Sequence, residues 1–162
     1  MKLETLLHKL ESASSSSPEL DADVASVFPS ALNNVTRSID AVVQLIETEL
    51  PGWWWTCGYC IISDDASLYP PGSSQYPYFP SATVGPDFRT GPAALRLLNH
   101  PKWGKVFDRG FHCDLHGGTV PLSMLIVFVE AKIALAKVEL STDPKRIREE
   151  EREAVRKAEM LS

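Results

Sequence analysis

Between residues 121 and 140 the chain reads PLSMLIVFVEAKIALAKVEL, its longest apolar stretch. The run is long enough to span a bilayer, but Glu130, Lys132 and Lys137 interrupt it. Each such charge costs roughly 2.5–3.5 kcal/mol at the centre of a membrane helix on insertion scales. The stretch is therefore expected to be a buried helix of a water-soluble domain, packed on a sheet with its charges on the rim. That expectation constrains the rest of the chain, which must supply enough apolar surface to cover it.

The covering strands are legible in part. Residues 53–63 (WWWTCGYCIIS) follow a Pro51-Gly52 turn and are rich in aromatic and β-branched side chains, so they read as a strand. Alternation puts Trp53, Trp55, Cys57, Tyr59 and Ile61 on one face and Trp54, Thr56, Gly58, Cys60 and Ile62 on the other. Both faces are apolar enough to be covered, which suggests layers on both sides of the sheet. Residues 111–116 form a second clear strand, with Phe111, Cys113 and Leu115 facing one way and His112, Asp114 and His116 the other. Shorter strands are expected at 81–84 and 103–107, with Asp108, Arg109 and Gly110 as a hairpin turn.

Helices account for most of the remainder. Leu3, Leu6, Leu7 and Leu10 recur at helical spacing over 2–12, and the serine-rich run to residue 17 reads as a linker. Pro18 opens a second helix that Pro29 stops near Phe28. A third, capped by Asn33 or Asn34, carries Ile39, Val42, Val43, Leu45, Ile46 and Leu50 and ends at Pro51-Gly52. Residues 91–98 give a helical turn or two. After Asp143-Pro144 a helix of alternating acids and bases offers an exposed arm or an oligomer contact. The expected fold is α+β: a small antiparallel β-meander sandwiched between helices in α-β-α layers, with a charged C-terminal helix. Residues 1–17 are a helix and linker, 18–140 the domain, and 141–162 the charged helix.

Charge and composition exclude several functions. The chain has 162 residues and a net charge of −5, all of it arising in residues 1–50. Such a balance argues against duplex nucleic acid as a partner. Three cysteines are too few for a disulfide scaffold and point to a reducing compartment. The opening MKLETLLHKLES has no apolar signal core.

The segments ELDADVASVF, NNVTRSIDAVVQLIETELPGWWWTCGYC, SATVGPDF, FDRGFHCDL and PLSMLIVFVEAKIAL together resemble a group of small alphaproteobacterial phage and prophage proteins. Their layout is similar to the phage α-β-α (ABA) sandwich domain. The resemblance covers about residues 18–138, and its motifs concern packing and turns rather than catalysis. It implies a phage-encoded protein in the cytoplasm of a bacterial host, with no established activity or site residues to carry over. The YPPGSSQYPYFP insertion and the helix after Ser141 depart from the pattern, so anything particular to this chain is expected there.

Residue chemistry favours binding over catalysis. Cys57 and Cys60 have zinc-like spacing, but residues three apart in a strand point to opposite faces. His112, Asp114 and His116 share a face at about 7 Å intervals, too far apart for one ion without bending. His112 beside Cys113 points away from it, and Asp64-Asp65 reads as a turn. No nucleophile elbow or phosphate loop is present, and no cofactor or metal is expected. The centre of the chain instead gathers Trp53, Trp54, Trp55, Tyr59, Tyr69, Tyr76, Tyr78 and Phe79 near Arg89, Arg96, Lys102, Lys105 and Arg109. Aromatic faces stack on bases, and Arg and Lys pair with phosphates. The candidate ligand-binding residues are Trp54, Tyr59, Tyr76, Tyr78, Arg89, Lys102 and Arg109. The expected partner is a small nucleotide, such as a host immune signal that the protein sequesters, or a host protein that it blocks. The alternatives are an assembly role in the phage particle and a small metal-dependent enzyme built on His112, Asp114 and His116.

Overall fold

The structure, a computed structural model, describes residues 1–61, 78–115 and 118–141. In chain order the elements are α1 (Leu3–Ser12), α2 (Pro18–Val27), α3 (Ile39–Glu49), β1 (Trp53–Ile61), β2 (Tyr78–Pro86), α4 (Pro92–Leu98), α5 (Gly104–Arg109), β3 (Phe111–Asp114) and α6 (Val120–Ser141). The chain is α+β, with six helices and a three-stranded antiparallel sheet among the described residues, consistent with the expected α-β-α arrangement. The expected 143–160 helix, most of the 64–80 loop, Asp64, Asp65 and His116 lie outside the described residues.

The 121–140 stretch forms α6, and every residue from 120 to 129 is buried. A helix apolar on all sides must be covered on all sides. The sheet covers one flank of α6; α1 and α3 cover others. Leu6 and Leu10 of α1 and Val42, Leu45 and Ile46 of α3 join its core. Phe28, which caps α2, packs on Phe128 with ring centroids 4.8 Å apart. Among the described residues, no helix is long and apolar enough to cross a membrane.

The charges of α6 begin where its burial becomes one-sided. Lys132 Nζ lies 3.2 Å from Glu49 Oε2, tying α6 to the end of α3. Ser30 Oγ donates to the other Glu49 oxygen at 2.7 Å. These donors, the serine hydroxyl foremost, hold the Glu49 carboxyl below its ordinary pKa.

The sheet order is β1-β2-β3, and both pairings are antiparallel. β2 runs from 78 to 86, longer than the expected 81–84. β3 pairs only with Ser81 to Val84, so Pro80 and Pro86 fall beyond that ladder. The face toward α6 carries Trp53, Cys57, Ala82, Val84, Phe111 and Cys113. On the other face Trp54, Thr56, His112 and Asp114 stay accessible among the described residues.

Two expectations are corrected. Ser38, not Asn33 or Asn34, caps α3, its Oγ accepting from Ala41 N at 3.2 Å. The preceding residues are committed elsewhere: the buried Asp21 carboxylate accepts from Thr36 N at 2.7 Å, which holds 33–37 as turns. Residues 103–107 are not a strand. Gly104 opens α5, where the Leu98 carbonyl approaches so closely that a β-carbon would sit 2.1 Å from it. Phe107 of α5 then meets Trp53 and Phe111 edge-on. Asp108 and Arg109 are the last turn of that helix rather than a hairpin, and Gly110, at φ 71°, ends it in the left-handed region.

Phe128 is fully buried, so Phe128→Ala leaves a cavity at the α2–α6 contact. It is expected to lower stability by about 3–5 kcal/mol. Urea denaturation checks this as a lower midpoint at unchanged slope.

Candidate functional site

α6 leaves its all-round burial at Glu130, and from there its spacing builds one wall of a cavity. Glu130, Ile133, Ala134 and Lys137 recur at i, i+3, i+4 and i+7, and all four line a space of about 530 Å³. Lys105, Val106 and Arg109 of α5 form a second wall, Phe111 and His112 of β3 a third, and Leu7 of α1 closes one side. The volume falls within the range of about 300–1,000 Å³ common for small-molecule sites. Its floor is apolar, from Leu7, Val106, Phe111, Ile133 and Ala134. Its charged groups are the cations Lys105, Arg109 and Lys137 and the single acid Glu130. In a chain of net charge −5 this is a local reversal of sign.

One of the cleft cations, Lys137, is placed over a ring. The Trp103 ring, also part of the lining, has Lys137 Nζ 5.9 Å and Lys102 Nζ 5.6 Å from its centroid. Contacts of this kind hold an ammonium without neutralising it. Glu130 is partly buried, and no hydrogen bond or ion pair engages its carboxylate among the described residues. Burial, and then the like charge of Glu11 on α1, push its pKa above the ordinary value.

His112 borders the cavity and is fixed from both sides. Its Nε2 lies 3.2 Å from Asp114 Oδ2, and its Nδ1 lies 2.8 Å from Thr83 Oγ1. A carboxylate only accepts, so Nε2 carries a proton toward Asp114, and Nδ1 shares a hydrogen bond with the Thr83 hydroxyl. Strand spacing alone would set His112 and Asp114 about 7 Å apart, but their side chains lean together along β3. The order hydroxyl, imidazole, carboxylate is that of a nucleophile with its base. Here Thr83 sits in the central strand, paired with Thr56 on one side and His112 on the other, so the ladder occupies its neighbouring amides. Among the described residues no group of three or more His, Cys, Asp or Glu is arranged to hold a metal ion.

The thiols are insulated. Burial raises the pKa of Cys57. Burial, followed by the charges of Glu130, Asp114 and Glu11, pushes Cys113 up to about 11. Both are free, partly buried and held in the unreactive thiol form.

Of the residues singled out from the sequence, Arg109 lines the cavity and Lys102 reaches its Trp103 edge. Trp54 backs it from the far face of the sheet, its indole lying so close to Gly110 that a β-carbon there would meet the ring at 3.3 Å. Tyr59 is 65% exposed near the other end of β1, away from this cluster. Arg89 is not brought in. Its guanidinium closes on Asp87, two residues back, through contacts of 2.9 and 2.8 Å that draw the carboxyl down to about 2. Tyr78 opens β2, and Tyr76 lies outside the described residues. Sequence reasoning missed Glu130 and Lys137 as site residues. The signal was their placement one turn either side of Ile133 and Ala134, on a helix otherwise read as core. A second apolar cavity of about 510 Å³, beside α4 and Trp53, has no charged side chain in its lining.

No protein-family model matches the chain, and neither a curated protein nor a solved structure does.

The raised pKa of Glu130 has a definite sign. The folded state binds this proton more tightly than the unfolded chain, so ionisation costs stability as pH rises from the ordinary 4.5 through the folded value. Above that window the cost is fully present. Glu130→Gln is therefore expected to melt at a higher temperature than wild type at pH 7. Thermal melts across pH check this, the advantage shrinking as pH falls toward 4.5.

Proposed function

We propose that this chain is a non-catalytic binding protein that takes a small anionic ligand with a flat apolar body, of the nucleotide class, in the cleft between α1, α5, β3 and α6. In the phage setting that its sequence resembles, it is an accessory protein that withholds a host immune nucleotide from its receptor. One observation carries this reading: Lys105, Arg109 and Lys137 converge on an apolar floor in an otherwise acidic chain. Apolar walls take up the base, and the cations meet the phosphate, where charge-assisted contacts are strongest. A second reading, blockade of a host protein, draws on Trp54, Trp55 and Tyr59, exposed along the edge strand β1.

Native mass spectrometry of protein purified from a bacterial host, followed by calorimetric titration with nucleotides, tests the cleft. The expected result is a bound mass of nucleotide size that is lost on denaturation. Arg109→Ala and Lys137→Ala are each expected to weaken binding by about tenfold, the worth of one charge-assisted hydrogen bond. A clean apo mass together with no heat from any nucleotide overturns the reading.

A further inference from the structure

Glu130 is the group that a simple phosphate-and-stacking site does not need. It stands in a cleft with three cations, yet none lies within ion-pair distance of it among the described residues. Its carboxylate is partly buried beside an apolar floor, and nearby Glu11 makes its charge dearer still. With no protein donor, the carboxylate is left to solvent, so a ligand that displaces that water must bring donors of its own. Lys137 could have neutralised it from one turn away but stands two turns on, about 10 Å along the helix axis. Glu130 and Lys137 thus stand apart along the same apolar wall, with Lys105 and Arg109 on the facing wall from α5. A ligand that satisfies both ends carries hydrogen-bond donors at one end and negative charge at the other.

We infer that Glu130 selects the base of the bound nucleotide, accepting the paired N1–H and N2–H donors of guanine while Lys105, Arg109 and Lys137 hold the phosphate. This rests on the nucleotide reading of the cleft and names the base within it. Two parallel donors match the two oxygens of one carboxylate. Adenine presents one amino donor beside an unprotonated ring nitrogen, which would face the carboxylate lone pairs. Hypoxanthine keeps the ring N–H but lacks the amino group. Affinity should therefore fall in the order guanine, hypoxanthine, adenine.

Calorimetric titration of the full chain with GMP, IMP and AMP at neutral pH and low salt tests this. GMP is expected to bind at least about tenfold more tightly than AMP, with IMP between them. Glu130→Gln should remove that preference by weakening GMP, while AMP, whose unprotonated ring nitrogen no longer faces carboxylate lone pairs, holds or gains affinity. Arg109→Ala should weaken all three alike. Equal binding of GMP and AMP by wild type, with both weakened in Arg109→Ala, overturns the guanine assignment and leaves the cleft standing. A GMP preference unchanged in Glu130→Gln overturns the role of Glu130. Failure of all three nucleotides to bind wild type overturns the inference and the nucleotide reading together.

Discussion

Everything in this fold answers to the burial of α6. Its first ten residues are covered on every side, so neither a sheet nor a helical layer alone would suffice. The chain solves this by bringing strands from the middle of the sequence and helices from its beginning onto one rod near its end. Leu6 and Leu10, Phe28, Val42 and Ile46 come from the N-terminal helices, and Ala82, Val84 and Phe111 from the sheet. Local elements such as α5 follow from the same demand. Phe107, Trp53 and Phe111 form an aromatic cluster at the end of the sheet, which requires the chain to turn at Gly110 before β3 can begin.

The second half of the helix is where structure gives way to chemistry. Three of its four charges have different fates. Lys132 is paired with Glu49, which Ser30 also engages, so this contact acts as a clasp between α3 and α6. Lys137 is held over an aromatic ring and keeps its charge available. Glu130 is left without a hydrogen bond or ion pair among the described residues, in a position that raises its pKa. Structural charges are generally satisfied, and a group that works against the folded state marks a site where something other than stability sets the residue. The contrast between Glu49 of α3, held down by its donors, and Glu130 of α6, pushed up by burial and Glu11, sets the two carboxylates apart.

How much of this was legible depends on the range of the interaction. The helix at 121–140, the strand at 53–61 and the inward face of 111–115 follow from periodicity and turn residues, which are local. The 103–107 segment did not, because Trp103, Val106 and Phe107 satisfy a short strand and a short helix equally well. What decides is the approach of the Leu98 carbonyl to Gly104, a contact that no pattern within five residues announces. The cap of α3 failed for a related reason: Asp21, fifteen residues earlier, claims the Thr36 amide and moves the start to Ser38. The candidate site was harder still. Arg89 and Arg109 look equivalent as basic residues beside aromatics, yet Asp87 occupies the first, while the end of α5 delivers the second to the cleft. Spatial convergence of α5 with α6, whose sequences are some twenty-five residues apart, has no local signature.

The cleft also owes its shape to rigid parts. Its walls are faces of α5, β3 and α6, and Lys137 is restrained over the Trp103 ring. A restrained side chain has less freedom to lose on binding, so more of its contact energy is available as affinity. Trp54 extends that logic through the sheet. Its indole lies against Gly85 and Gly110 on the opposite face, so the Gly110 corner of the cleft is backed by a ring rather than by solvent. The aromatic richness that first drew attention to residues 53–59 thus divides by strand alternation. Trp53 goes to the core with Phe107 and Phe111, Trp54 buttresses the cleft from behind, and Tyr59 faces outward beyond both.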